Sequence, residues 1–246
     1  MPYRTVKYAK QSHIARLTLN RPSAGNAVDG IMDGEIADIC REINADDEIY
    51  IVVITGAGPD FCRGVESGSE GTFHPAASLA GIDCPVIASV NGDALGIGLE
   101  MALSCDIRIA SDRARFSLPQ LAEAHLPADG GTQRLPRIVG PGKALELLLT
   151  ANTFTAAEAL EIGLVSKVVP ADALAVETQK LAETVASRGP LALRYLKEAV
   201  NKGMDATLEQ GLRLEADLYF LLHTTADRTE GINAFREKRP PRFKGK

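Results

Sequence analysis

The sequence predicts an α/β domain that gives way to a helical C-terminal third. Three observations point there. Apolar residues make up 45% of the 246-residue chain, enough for one sizeable core. Up to about residue 140, short β-type runs alternate with helical spacing, the pattern of a layered fold with crossover connections. Beyond about residue 141, nearly every segment reads as helix.

In chain order, "IARLTLN" (14–20) alternates apolar and polar residues, the period of a strand with one buried face. "RPSAGNAVD" follows as a turn. Over about 30–45, Ile31, Ile36, Ile39 and Ile43 recur at helical spacing and predict an amphipathic helix. "YIVVITGAG" (50–58) is a continuous apolar run closed by glycines, a buried strand. "CPVIASVNGDALG" (84–96) is a second such strand entering a turn. "DIRIAS" (106–111) and "ARFSLP" (114–119) are short strands. The helical segments that follow are broken by one strand-like stretch, "GLVSKVVP" (163–170). Thr155 and Glu158 have the spacing of a capping box. The expected division is a core over 1–190 and a helical region over 191–246.

Net charge is −5, which argues against a nucleic-acid partner. No apolar run reaches membrane-spanning length, so no membrane partner is expected. The first twenty residues lack the apolar centre of a signal peptide, and a cytoplasmic protein is expected. The four cysteines, Cys40, Cys62, Cys84 and Cys105, are scattered, and no C-x-x-C or histidine pair sits at ligand spacing. Neither a disulfide framework nor a metal site is expected, and Cys62 reads as a packing thiol.

The chemistry centres on "NGDALGIGLEMALSCDIRIAS" (91–111), a turn, an apolar helix and a strand. A dinucleotide fingerprint would need a third glycine where Met101 stands. The helix start offers something else. Its free N–H groups and the positive end of its dipole favour developing negative charge, as on a carbonyl becoming an oxyanion. Glu100, one turn in, could serve there as general base or acid. Alternatively it only complements the dipole and points to solvent. Spacing alone leaves both open.

The neighbouring motifs narrow the choice. "NRPSAGNAVD", "VVITGAGPDFCRGVE", "PVIASVNGDALGIGLEMALSCDIRIAS", "ARFSLPQL", "DGGTQRLPRIVG", "AAEALEIGLVSKVVP" and "EGINAFREKRPPRFKGK" occur in that order. Together they resemble the enoyl-CoA hydratase/isomerase (crotonase) superfamily from about residue 5 to the C-terminus. The resemblance implies a ClpP/crotonase-like spiral of ββα units with a helical C-terminal trimerisation region, assembled as a homotrimer or a hexamer made of two trimers. It implies an acyl-CoA thioester substrate whose coenzyme A is part of the substrate, with no separate cofactor.

Residue by residue, the resemblance places oxyanion-hole N–H groups at Val65 and Ile97, and the first catalytic glutamate at Glu100. Ile97 stands where the family usually has glycine, Val65 where it has alanine, and Glu66 where it has aspartate. Substrate and CoA contacts are expected around Ser23, Ala24, Asn26, Ala27, Arg63, Gly64, Gly96 and Gln120. The basic tail, with Lys246, is expected near the CoA nucleotide.

The pattern breaks at one point. Family hydratases place a second glutamate directly after F-x-x-P, and Gln120 stands there. An amide does not exchange a proton near neutral pH. Asp129, in "PADGG", matches the place of a catalytic aspartate in dienoyl-CoA isomerases, or is a turn residue beside two glycines. Glu123 reads as a solvated charge, and His125 as structural or as a group tuning Asp129. His74 is not expected to be catalytic. The expected activity is hydration of a 2-enoyl-CoA. The alternatives are an enoyl- or dienoyl-CoA isomerase using Glu100 with Asp129, or a non-catalytic acyl-CoA-binding protein. The stretch between Val65 and Pro85 is expected to be short and mobile.

Overall fold

The computed structural model describes residues 3–69 and 71–246. Strands β1 (Val6–Gln11) and β2 (Ile14–Leu19) form an antiparallel hairpin. Helix α1 (Gly30–Asn44) starts at Asp29, whose side chain accepts the Met32 N–H at 2.8 Å. Next come β3 (Ile51–Gly56), α2 (Pro75–Ala80), β4 (Val86–Val90), β5 (Ala94–Leu95) and α3 (Ile97–Ser104). They are followed by β6 (Ile107–Ser111), β7 (Arg115–Ser117), α4 (Gly131–Val139) and α5 (Pro141–Thr150). The remaining elements are β8 (Phe154–Thr155), α6 (Ala156–Glu161), β9 (Lys167–Val169) and α7 (Leu174–Ala186). The chain closes with α8 (Pro190–Met204), α9 (Leu208–His223) and α10 (Ala226–Glu237).

The main sheet has the order β1-β2-β3-β4-β6-β9 and is parallel from β2 onward. β5 pairs in parallel with β7, and β7 antiparallel with β8. The apolar runs of β3 and β4 are covered on both faces, which is why they do not alternate with polar residues. Val52, Ile54 and Ala88 belong to the large core with Ile36 and Ile39 of α1 and Leu99 of α3. Ile51, Val53 and Ile87 turn the other way and pack with Ala182 of α7.

Several expectations shift. β1 was not foreseen, because its residues are mostly exposed and it adds at the sheet edge. Ile31 is 44% exposed; Met32 takes the inward position beside Ile36, Ile39 and Ile43. The expected strand over 84–96 divides into β4 and β5, and 163–170 narrows to β9. The Thr155–Glu158 capping box forms. All four cysteines are buried and free, Cys62 in the core, and burial pushes its thiol up to about 12. Glu70, within the stretch expected to be mobile, lies outside the described residues. Among those residues no helix is long and apolar enough to cross a membrane, and none form a cluster able to hold a metal.

Helix α8 is tied to the sheet by one largely buried amine. Lys197 Nζ lies 2.8 Å from Asp106 Oδ2 and donates to the Cys84 carbonyl at 3.0 Å. Asp106 also accepts the Val86 N–H at 2.7 Å. Lys197→Ala should therefore lower the urea midpoint, corresponding to a stability loss of about 1–3 kcal/mol, the cost of leaving a partly buried carboxylate and carbonyl short of a donor. An unchanged midpoint would remove this contact as the anchor of α8.

Candidate active site

The site forms where two close backbone approaches meet. Gly96 precedes α3 with φ 55° and ψ −122°, a conformation that side chains resist. A Cβ at Gly98 would lie 2.2 Å from the Cys62 carbonyl oxygen. The G-x-G is thus a turn glycine plus a contact glycine, which let α3 press on the segment 61–65. That segment is fixed from its other side as well. The Asp93 carbonyl accepts the Phe61 and Cys62 N–H groups at 3.1 and 2.9 Å. The Asp93 carboxylate takes Arg115 in a two-pronged pair at 2.9 and 2.7 Å. Val65 forms a parallel bridge with Val28, in which Val28 N–H donates to Gly64 O and Glu66 N–H to Val28 O. The bridge leaves Val65's own N–H directed away from it.

Gly64 and Gly96 lie against each other: a Cβ on Gly96 would be 4.0 Å from Gly64 Cα. Neither the Val65 nor the Ile97 N–H has a hydrogen-bond acceptor among the described residues. Two neighbouring segments therefore each present a free amide at the start of a buried helix, a setting suited to an anionic oxygen.

Glu100 is 2% exposed, which excludes the solvent-pointing reading. Its Oε1 accepts the Asp129 N–H at 2.8 Å and the Gly131 N–H at 2.9 Å. Its Oε2 lies 3.4 Å from Gln120 Nε2. Burial raises the Glu100 acid above the ordinary glutamate value; the two backbone donors oppose that, and the Asp129 charge adds to it. The result is a carboxyl poised to exchange a proton nearer neutral pH than a surface glutamate.

Asp129 is also buried, but its carboxylate faces α2. Oδ2 accepts the Ala76 N–H at 2.5 Å and Oδ1 the Ala77 N–H at 3.1 Å. Burial raises its acid, and the two amides oppose the rise. The histidine beside it is His74, Nδ1 3.7 Å from Oδ1. His125, expected to be structural or to tune Asp129, is exposed, and no hydrogen bond joins it to Asp129. Glu123 is exposed, as expected of a solvated charge.

The expected ligand residues divide into two groups. Ser23 and Ala24 belong to a short 3-10 turn, Pro22–Ala24, capped by Gly25, against which Arg63 packs: a Cβ on Gly25 would meet Arg63 Cδ at 2.7 Å. Ala27 is buried beside it, and Arg63 and Ser23 are exposed. Asn26 does not fit a ligand role through its side chain. It is fully buried, accepts from the Arg21 N–H, and donates to the Ala57 and Asp60 carbonyls. It ties the turn to the end of β3. Lys246 is far along the chain but locally fixed, its carbonyl accepting the Asp227 N–H at 3.0 Å.

Sequence reasoning missed Arg21, Asp93 and Arg115. Arg21 holds Glu66 at 2.5 Å and Asp29 at 3.1 Å, and donates to the Ala27 carbonyl. These residues shape backbone, and nothing in their spacing marks them as partners.

A buried glutamate beside a G-x-G turn on a parallel sheet, with this order of motifs, defines a class, and comparison with known proteins defines it further. A family model described as enoyl-CoA hydratase/isomerase matches residues 9–246. The chain belongs to this family and has the crotonase fold. It is 40% identical to a crotonyl-CoA hydratase of Syntrophomonas wolfei, over 99% of each chain. It is 39% identical to a 2,3-dehydroadipyl-CoA hydratase of Escherichia coli, over 97% of this chain and 98% of the other. A crystal structure of an enoyl-CoA hydratase from Bacillus anthracis superposes with a TM-score of 0.95 at 36% identity, over 99% of this chain and all of the other.

Burying Glu100 carries a stability signature. Its folded-state pKa lies above the unfolded value. As pH rises through the unfolded value, the unfolded chain ionises first, so stability falls until the folded pKa is passed. Glu100→Gln keeps an oxygen for the Asp129 and Gly131 donors and removes the buried charge. The variant should melt at or above the wild-type temperature at pH 7, and the difference should shrink as pH falls below the ordinary carboxylate range. A variant that is less stable at pH 7 than the wild type, and gains on acidification, would contradict the assignment.

Proposed function

We propose that this protein is an enoyl-CoA hydratase that adds water reversibly to a 2-enoyl-CoA, with Glu100 as the acid/base and Val65 and Ile97 as backbone donors to the thioester oxygen. The observation behind this is the joint one of a buried glutamate with one saturated and one available oxygen, next to two free amides on neighbouring segments. As water attacks the β-carbon, charge moves to the thioester oxygen, and fixed N–H donors in a water-poor site stabilise that oxyanion. In this reading the Pro22–Ala24 turn and Arg63 meet the CoA portion. Coenzyme A enters as part of the substrate.

The isomerase alternative would use Asp129 as a second proton carrier. Both oxygens of Asp129 already serve α2 amides, which favours a role in holding that helix. A non-catalytic acyl-CoA binder has no need of a buried, proton-poised Glu100. The exposed apolar residues Leu196, Val200 and Met204 on α8 and Leu208, Leu212 and Phe220 on α9 support assembly into a trimer or a pair of trimers. Light scattering should then give three or six times the 26.2-kDa chain mass.

Activity on a panel of linear and cyclic 2-enoyl-CoA thioesters, read as loss of the conjugated thioester and identified product, tests the function. Glu100→Gln should lower kcat by about 10²–10⁴-fold, the usual value of well-placed acid–base help. Ile97→Pro, which removes the N–H, should cost roughly 10²–10³-fold. Double-bond migration without hydration in the wild type would select the isomerase instead, and tight acyl-CoA binding with no turnover would select the binder.

A further inference from the structure

Gln120 is the second residue of the 3-10 turn Pro119–Glu123, which follows the strand that carries Phe116. Its amide reaches two places at once. Nε2 is 3.4 Å from Glu100 Oε2 and 3.6 Å from where a Cβ on Gly96 would sit. Its other end is unexplained: Oε1 is buried and has no hydrogen-bond partner among the described residues. A buried acceptor left unpaired is a net cost that native structures rarely retain without a reason.

We infer that Gln120 is a positioning residue that lets Glu100 alone move the proton through the whole addition of water, its amide turning from donor to acceptor when Glu100 passes from carboxylate to acid. The inference rests on the hydratase reading above. It follows from which oxygen of Glu100 is available. Oε1 is held by the Asp129 and Gly131 N–H groups and can only accept. Oε2 is the oxygen that takes and releases the proton. While Oε2 is ionised, Nε2 donates to it. Once Oε2 is protonated, an N–H facing an O–H is a donor against a donor. A half-turn of the amide brings the unpaired Oε1 to the new O–H, and Oε1 loses no existing bond by turning. Gly96, with no side chain, leaves the space beside the amide clear.

The chemistry balances with one carboxyl. One O–H bond of water breaks and its proton goes to Glu100 Oε2, while the oxygen bonds to the β-carbon. The electrons of the carbon–carbon double bond pass to the thioester oxygen as an enolate. The Oε2–H bond then breaks, its proton goes to the α-carbon, and the carbonyl re-forms. The product has gained one water, and Glu100 is a carboxylate again. The other charged groups facing Glu100 are the carboxylate of Asp129, turned toward α2, and Arg134 on α4, which donates to the Asp129 carbonyl at 2.7 Å; His74 lies on the far side of Asp129. None of these touches Oε2.

The test compares pH profiles of kcat/KM for wild type, Gln120→Met and Gln120→Glu on an enoyl-CoA that the wild type hydrates. Methionine keeps the length and removes both hydrogen-bonding ends. It should move the acid limb to higher pH, because ionised Glu100 loses a donor. It should lower kcat about ten- to a hundredfold, the effect of one hydrogen bond to a charged group, with KM little changed. Its melting temperature should not fall, because the unpaired oxygen goes with the side chain. Gln120→Glu should shift the acid limb further and reduce turnover, since neighbouring carboxylates raise each other's pKa. A methionine variant with wild-type profile and turnover would overturn the inference. So would a glutamate variant that hydrates faster than wild type, which would mark the site as a two-carboxylate machine lacking one member. A wild type that hydrates no enoyl-CoA would overturn the hydratase reading itself, and that arm is read before either variant.

Discussion

Two backbone N–H groups, those of Asp129 and Gly131, hold one oxygen of a buried glutamate. Without them an ionised carboxylate at this depth would carry a large desolvation cost and would simply stay protonated. With them the upward push of burial on the Glu100 acid is opposed. They also set its direction, because fixing Oε1 leaves Oε2 to face the Gln120 amide. A Cβ on Gly131 would come 3.1 Å from Oε1 and 2.8 Å from Pro127 Cβ, so the glycine at this point is a matter of fit as well as turn geometry.

The loop that supplies those donors is itself braced. Asp129 uses its backbone for Glu100 and its carboxylate for α2, so one residue links the buried glutamate to the helix that follows the 66–74 segment. On the opposite side, Asp93 uses its carbonyl for Phe61 and Cys62 and its carboxylate for Arg115. Both aspartates do the same job in different places. They spare the region around Glu100 any need for long side chains to hold it, and the groups that shape it are mostly rigid backbone.

The sequence made the fold class legible because β3 and β4 are buried on both faces and read as unbroken apolar runs, and because the capping box at Thr155 is a local signal. It hid β1, an edge strand whose polar residues face water, and misplaced the inward face of α1 by one residue at Ile31. Glu100 and the G-x-G were visible as a motif, although solvent and interior orientations could not be separated, since burial depends on α3 meeting residues 61–65 from a distant segment. The partners of Asp129 were hidden for the same reason. Ala76 and Ala77 are more than fifty residues away, and the amides that bind it have no side-chain signature. His74 rather than His125 lies beside it because spatial neighbours, unlike sequence neighbours, depend on how α2 docks.

The most direct measurement is the titration of the Glu100 carboxyl itself, by carbon-13 NMR on selectively labelled protein with Glu100→Gln to assign the signal. Burial as the dominant influence, opposed by two amides, requires a midpoint above the free-glutamate value. A midpoint at or below that value would mean that the amides outweigh burial, and Glu100 would then be a fixed charge rather than the group that carries the proton.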